Sequence, residues 1–413
     1  MLNLLSVADV FRSIGGVVLA IIILLAMVTI HEFGHYIAGK ILGFKINEFA
    51  VGFGPALWKR RSKTTGELFA VRLIPLGGYC AFDGEDEYGD EEPAVEQVEE
   101  REYENPFEDF EEETKMEGAG TSSESVEEQT SGAGTSVENE EEYPEPQGER
   151  FNDQAPWKRI IVLIAGATMN YLLALLIIIG MFAFIGQPLY RVVAPDETGY
   201  LDPAYAVGDI IESVDGKNMY LITDYMDALD GKKKGDVVEV GVIRDGESQT
   251  LQIELKRDCD FVNMSDTGRL LVALGLDGLY MNTVKLGFFE TIGKSVVYSW
   301  KIGGTVLRSF GELLTGKLGF EAVGGPVTTI TVTAEAASHS LFSFLNVASL
   351  IGVNLAVFNL LPIPALDGSK VVFCIIEWIR KKPINRKVET IIHLVGIVFL
   401  FGFAILVDLL KLF

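Results

Sequence analysis

Four long apolar runs divide this chain: residues 14–30, continuing as far as residue 38, and residues 160–185, 342–361 and 391–407. Each run has about the length at which a helix crosses ~30 Å of hydrocarbon. Runs of this kind are typical of membrane spans and exclude a simple soluble domain. The pattern therefore predicts a polytopic α-helical membrane protein with four transmembrane helices.

Alternating apolar and polar positions indicate β structure in two places. Residues 47–55 and 67–73 predict strands joined by a turn at Thr64-Thr65-Gly66, which makes residues 44–82 a membrane-associated β-hairpin. The hairpin either offers an edge strand to an extended peptide or serves only as packing. Residues 190–280 combine short β-rich runs with turns and a helix at residues 223–229, which predicts one small soluble domain.

Residues 283–340 carry scattered Gly, Lys and Glu, so an amphipathic interfacial segment is favoured there over a fifth span. The predicted boundaries are 1–43 for the first transmembrane helix, 44–82 for the hairpin, 83–150 for an insertion, 151–186 for the second transmembrane helix, 187–282 for the soluble domain, 283–340 for the interfacial segment, 341–382 for the third transmembrane helix with the helix after it, and 383–413 for the fourth.

The excess of negative charge lies in the insertion. The chain has a formal charge of −24, and residues 83–150 contain 27 acidic and 3 basic residues, which account for all of it. A segment so acidic, and so poor in branched aliphatic residues, cannot bury enough apolar area to fold, so we predict a disordered linker. Elsewhere the chain has no basic patch of the kind that indicates nucleic-acid binding.

Basic residues near the span ends predict the orientation in the membrane. They follow the first span, precede the second and separate the third from the fourth: Lys40, Lys45, Lys59, Arg60, Arg61, Lys63, Lys158, Arg159, Arg380, Lys381, Lys382, Arg386 and Lys387. These loops and the acidic insertion are expected in the cytosol, and both termini and the soluble domain outside it. Cys259 is then the one cysteine expected outside the membrane, so no intramolecular disulfide is expected.

The candidate chemistry begins with the sequence HEFGH at the end of the first span. His31 and His35, four residues apart, project from one face of a helix and can bind one zinc ion. Glu32 can then act on a water molecule beside the metal. His and Glu are costly at membrane depth unless they are paired, which favours a functional role for all three.

A catalytic zinc site usually has a third protein ligand. The best candidate is Asp367, which follows a segment where Pro362 and Pro364 interrupt a membrane helix. The alternative is that Asp367 caps the helix that starts near Gly368.

Several other polar residues lie in or near the predicted spans. Asn354 and Asn359 are candidates for binding a substrate carbonyl or the oxyanion of the transition state, with interhelical hydrogen bonding as their alternative role. Interhelical hydrogen bonding is the first expectation for Asn170. His339 and His393 belong to no motif and are expected to be structural or interfacial.

Taken together, these motifs resemble the site-2 protease family (peptidase M50B), and most closely its bacterial regulator-of-sigma-E protease type. The matching segments are HEFGH at 31–35, VGFGP at 51–55, PLGGY at 75–79, Ala165-Gly166 with Asn170, Gly325-Pro326, and NLAVFNLLPIPALDG at 354–368. The chain departs from the family pattern at Ala167, Gly352 and Ser369, none of which is a candidate ligand.

The resemblance implies that Asp367 is the third zinc ligand and that Glu32 is the catalytic acid/base. It also implies that residues 187–282 form a single extracytoplasmic PDZ domain, as in Gram-positive members. The expected function is an intramembrane zinc metalloendopeptidase of the bacterial cell membrane, with one zinc ion per chain. Its expected substrates are transmembrane segments of single-pass proteins already cut by a site-1 protease, such as anti-sigma factors or signal-peptide remnants.

Two alternatives stay open at this point. A membrane-anchored zinc peptidase that cuts soluble peptides would take its third ligand from a soluble helix, which the proline-broken segment argues against. A non-catalytic scaffold built around the PDZ domain would not need to keep three ligands and a base.

Overall fold

The computed structural model describes residues 7–85, 143–193, 201–261, 267–276, 279–319 and 322–411. Most of the acidic insertion, and with it the prediction of a disordered linker, lies outside these residues. The elements in chain order are α1 (Val7–Leu42), β1 (Ile46–Arg61), β2 (Leu68–Phe82), α2 (Pro156–Phe184), β3 (Gln187–Val192), β4 (Ile210–Val214), β5 (Lys217–Asn218), α3 (Ile222–Leu229), β6 (Val237–Arg244), β7 (Glu247–Glu254), α4 (Thr267–Ala273), β8 (Leu279–Val284), α5 (Phe288–Leu314), α6 (Pro326–His339), α7 (Leu341–Leu360), α8 (Asp367–Arg380) and α9 (Arg386–Leu410).

Four of these helices are long and apolar enough to cross a membrane: α1 from Ile14 onward, α2, α7 and α9. The prediction of four helices of transmembrane length is therefore confirmed, and each helix begins before its predicted apolar run. Helix α2 is central to the bundle, since it packs against α1, α7, α8 and α5. It is consequently the element through which the two ends of the chain come together.

The hairpin is longer and more bent than the sequence indicates. Strand β2 continues through Pro75 to Phe82, although the glycines and this proline predict that the second strand stops earlier. Residues 46–51 of β1 are paired on one side with 78–82 and on the other with 68–71, while residues 56–61 pair with 68–72. The two strands thus fold back on themselves and form a small sheet, and pairing along its edges stabilises a strand that local propensity does not favour.

Glycine permits the bend of β1. Gly52 has a φ of +87°, and a Cβ built there would lie 2.7 Å from the carbonyl oxygen of Ile74. Both the backbone conformation and the close approach of the second strand therefore require the residue without a side chain.

Residues 187–284 form a β domain. Its sheet has the strand order β7-β6-β4-β3-β8, and β5 pairs with β4. Helices α3 and α4 cover a core of apolar side chains, among them Val214, Tyr225, Leu229, Val240 and Leu274. The helix predicted at residues 223–229 is present as α3. This domain contains Cys259, which is buried and has a free thiol.

The segment predicted to be amphipathic and interfacial contains two helices. Helix α5 leaves Phe288, Phe289 and Trp300 largely exposed, while its opposite face packs Tyr298 and Ile302 against the bundle. Helix α6 packs against α1. An exposed aromatic face on a helix outside the four spans agrees with the expected location at a membrane surface.

A buried ion pair stabilises the β domain. Arg244 donates from Nε to Asp209 Oδ1 at 2.8 Å and from Nη2 to Oδ2 at 2.7 Å. Burial alone would raise the pKa of the Asp209 carboxyl, but hydrogen bonds from Arg244 and from the N–H of Ala206 outweigh burial and lower that pKa. The carboxylate therefore stabilises the fold at neutral pH, and this contribution is lost as the pH falls below about 4.

Removing the guanidinium by Arg244→Met leaves Asp209 charged and buried without its main partner. We expect the domain to lose about 2 kcal/mol, because the guanidinium is itself partly exposed, and Cys259 to be alkylated about 30-fold faster in the full-length protein in detergent. The measurement is mass spectrometry of the Cys259 peptide. Lys217→Met, at an exposed position, is the control and should leave the rate unchanged; an unchanged rate in Arg244→Met would contradict the prediction.

Candidate metal centre

Helix α1 presents two imidazoles on one face. His31 and His35 are both buried, with 8% and 7% of their surface exposed, and their Nε2 atoms lie 3.1 Å apart. The spacing of four residues places the two rings over one another along the helix. The two Nε2 atoms therefore face one shared space.

The chain supplies a carboxylate to that space from its other end. Asp367 Oδ2 lies 3.0 Å from His31 Nε2 and 3.4 Å from His35 Nε2. Asp367 is the first residue of α8, after the N-cap residue Leu366, and its Oδ2 accepts no hydrogen bond from the described residues. Of the two roles considered for Asp367, the geometry supports that of a ligand rather than that of a helix cap.

The loop between α7 and α8 orients this carboxylate. Ala365 has a φ of +80°, an unusual conformation for a residue with a side chain. Its N–H donates to Nδ1 of His393 on α9 at 3.2 Å. Pro364 packs so closely on Gly396 that a Cβ at Gly396 would lie 2.5 Å from the Pro364 side chain. His393 is thus structural, as expected, and its role is to support the segment that leads to Asp367.

The three ligand atoms fit a zinc ion. They all lie within 4.8 Å of one another. Tetrahedral zinc with bonds of about 2.0–2.1 Å separates its ligand atoms by about 3.3 Å, which is close to the observed spacing. Asp367 Oδ2 is buried and accepts no hydrogen bond from the described residues. Two imidazole nitrogens and a carboxylate oxygen turned towards one point need a cation between them.

Helix α2 lies behind both histidines. The carbonyl oxygen of Val162 is 2.8 Å from His35 Nδ1, so this ring donates a proton backward and keeps the Nε2 lone pair towards the ligand cluster. Gly166, one turn later, leaves room for the rings: a Cβ there would lie 2.8 Å from His31 Cε1 and would also overlap His35 Nε2. Asn170, a further turn along, places Nδ2 3.3 Å from His31 Nδ1.

Two cavities meet at the cluster. The larger, of about 590 Å³, is lined by Glu32, His35 and Asp367 together with Tyr79–Phe82 of β2, and the smaller, of about 280 Å³, by Glu32, His31 and Asp367 together with Gly77 and Gly78. Glu32 and Asp367 border both cavities. The second strand of the hairpin, β2, therefore runs along both cavities, next to the Glu32 carboxyl.

The two asparagines predicted to bind substrate are placed differently. Asn359 lines the smaller cavity, with Nδ2 3.5 Å from His31 Nδ1. Asn354 is exposed on α7 and lines neither cavity. Five helical residues turn the side chain by about 140°, so the two cannot face the same site. The prediction for Asn354 is not supported by this geometry.

Sequence reasoning missed the contribution of α2. The sequence predicts interhelical hydrogen bonding for Asn170. The Val162 carbonyl belongs to the backbone, so the pattern of side chains gives no sign of its contact with His35. The one available signal was the resemblance of Ala165-Gly166 and Asn170 to a family motif.

Comparison with known proteins identifies the class of this site. The profile described as peptidase family M50 matches residues 19–403. The chain belongs to peptidase family M50. The resemblance to site-2 proteases is thus confirmed, and with it the predictions of a zinc metalloprotease and of a membrane protein.

Proteins similar to this M50 member extend over nearly its whole length. A zinc metalloprotease RasP of Bacillus licheniformis is 28% identical over 93% of this chain and 95% of that protein. A putative zinc metalloprotease of Staphylococcus aureus is 29% identical over 94% and 95%. The regulator of sigma-W protease RasP of Bacillus subtilis is 28% identical over 94% and 96%.

Among solved structures, the PDZ domain of an SdrC-like protein from Listeria monocytogenes covers 24% of this chain and 88% of its own, with 16% identity and a TM-score of 0.16. Similarity at that level carries no argument, so the PDZ assignment of residues 187–282 stays a prediction.

The space at Gly166 can be tested through zinc content. In Gly166→Ala the new methyl group displaces both imidazoles, and we expect zinc to bind about tenfold more weakly or worse, measured by competition with a chelator on purified protein. Gly180→Ala is the matched control, because a Cβ at Gly180 on the same helix meets no atom within 4 Å. Equal zinc affinity in the two variants would show that the rings do not need this space.

Proposed function

We propose that this protein cuts peptide bonds within transmembrane segments of other proteins. The observation that carries the proposal is the meeting of His31, His35 and Asp367 beside helices of transmembrane length. A peptidase for soluble peptides would not need candidate ligands from one apolar helix and from the residue that follows a proline-broken loop between helices. The relative named regulator of sigma-W protease supports membrane-bound regulators, such as anti-sigma factors, as one substrate class.

In the proposed reaction His31, His35 and Asp367 hold the metal. Zinc, when bound, acidifies a water molecule and polarises the scissile carbonyl. Glu32 borders both cavities and takes the proton from the attacking water, then delivers it to the leaving amine. Asn359, which lines the smaller cavity, donates to the carbonyl oxygen as negative charge develops on it.

The substrate must unfold before it is cut, since the amides of a membrane helix are shielded by their own hydrogen bonds. We propose that it pairs with residues 77–82 of β2. This part of β2 is paired with residues 46–51, and its residues line the two cavities. A strand added at this edge replaces the lost helical hydrogen bonds and passes beside Glu32.

The remaining parts follow from the same proposal. The loops rich in Lys and Arg lie in the cytosol and the β domain outside, so the cut falls in the cytosolic half of the bilayer. The β domain, as a PDZ domain, restricts entry to single-pass proteins already shortened by a site-1 protease. Its position between α2 and α5 in the chain supports this role, because both helices pack in the bundle.

Glu32→Gln tests the proposed acid/base. The amide cannot accept the proton, so cleavage of a single-pass reporter in the membrane should fall below detection while zinc stays at one ion per chain. The readouts are fragment formation on a gel and metal content by mass spectrometry. His339→Ala, which changes an exposed histidine outside the site, should leave both unchanged. Retained cleavage in Glu32→Gln would overturn the assignment.

Pairing with β2 can be tested with the native Cys80. In a Glu32→Gln chain whose other two cysteines are replaced by alanine, single cysteines along the reporter segment are oxidised to disulfides with Cys80. Cys80 lines the larger cavity, so reporter positions should cross-link with a period of two residues if the substrate is a strand.

The control keeps Cys374 as the single cysteine, since it packs in the same apolar cluster as Cys80 but lines neither cavity. It should form no cross-link. A period near 3.6 residues with Cys80 would mean that the substrate enters as a helix.

A further inference from the structure

In each histidine of the metal centre, one ring nitrogen must carry a proton and the other must not. Each turns Nε2 towards Asp367, so a metal bound there requires a lone pair on Nε2 and places the proton on Nδ1. A buried N–H without an acceptor is costly and leaves the ring free to rotate. Each Nδ1 therefore needs an acceptor, and the structure provides the first of these in the carbonyl oxygen of Val162 behind His35.

The acceptor for His31 comes from an amide. Asn170 is 1% exposed, and its Nδ2 lies 3.3 Å from His31 Nδ1. Once Nδ1 carries the proton, two hydrogen-bond donors face each other in this arrangement. Its Oδ1 is buried and has no hydrogen-bond partner among the described residues. A half-turn of the amide exchanges the two atoms and pairs His31 Nδ1–H with Oδ1.

We propose that Asn170 is a positioning residue that accepts the Nδ1 proton of His31 and thereby fixes the tautomer and ring orientation needed to bind zinc through Nε2. The proposal rests on His31 being a zinc ligand, which the proposed function assumes. In this role Asn170 acts through His31, and it is also one of the residues that line the smaller cavity.

One face of α2 contacts the imidazole rings of both His31 and His35. Val162, Gly166 and Asn170 are spaced by four residues and share one face of the helix. Along that face they supply an acceptor for His35, a gap filled by both rings, and an acceptor for His31. Asn359 also approaches His31 Nδ1, but at 3.5 Å and from a partly exposed position, whereas Asn170 is 1% exposed; both line the smaller cavity.

The test compares Asn170→Leu, which removes the acceptor at similar volume, with Asn170→Asp, which keeps an acceptor oxygen. Zinc affinity is measured on full-length protein in detergent by competition with a chelator. We expect Asn170→Leu to bind zinc 10- to 100-fold more weakly, roughly the loss typical of an outer hydrogen-bond partner, and Asn170→Asp to stay within about threefold of wild type.

A purely interhelical role predicts the opposite order, because Leu packs well between helices while Asp buries a charge. Wild-type affinity in Asn170→Leu, or an equal loss in Asn170→Asp, would overturn the proposal. If Asn170→Leu does not fold, Asn170→Asp alone tests the proposal. A zinc affinity within about threefold of wild type supports it, and a larger loss overturns it. Asn346→Leu is the matched control, since Asn346 accepts an interhelical hydrogen bond from Tyr298 at 2.9 Å away from the metal centre.

Failure of the underlying function has a separate signature. If His31→Ala keeps wild-type zinc affinity, the ligand assignment itself is wrong, whatever Asn170 does. If His31→Ala loses zinc and Asn170→Leu does not, the ligands stand and only the positioning role fails.

Discussion

The structure depends on keeping one carboxylate against two imidazoles inside an apolar bundle. Asp367 reaches His31 and His35 from a helix that begins more than three hundred residues later in the chain. Unpaired, each of these groups would be costly at membrane depth. Together, with a cation, they satisfy one another. Helix α1, which carries the histidines, and helix α8, which carries Asp367, both pack against α2. Their orientation relative to α2 therefore determines whether the three side chains meet.

A second buried ionic cluster fixes the helix that carries Asp367. Glu377 on α8 accepts from Arg159 at the start of α2 at 2.5 Å, from Arg386 of α9 at 3.1 Å, and from the N–H of Ile384 at 2.9 Å. Buried ion pairs of this kind contribute little net stability, because desolvation offsets the attraction, but they discriminate strongly against a wrong alignment. Glu377 thus defines the register of α8 against α2, and Asp367 lies at the other end of the same helix.

Sequence reasoning succeeded where the chemistry is local. HEFGH specifies one helical face by its spacing, and a carboxylate after a proline-broken span makes Asp367 a candidate ligand, which the structure places near both histidines. It did less well where the partner is distant. Nothing near Asn170 in the chain indicates that its amide meets His31, and nothing in β2 shows that the strand continues through Pro75. Asn354 and Asn359 belong to one motif, but the helical angle between them leaves Asn354 outside both cavities, so its role in binding substrate stays a prediction.

Hydrolysis inside a membrane requires a water supply and an apolar path for the substrate at the same carboxylate. Both cavities combine polar and apolar lining. The larger is bordered by Asn47 and Lys370 but also by Leu163, and the smaller by Asn359 but also by Leu355. Water and an extended substrate can therefore share these spaces, and Glu32, which borders both, lies beside each of them.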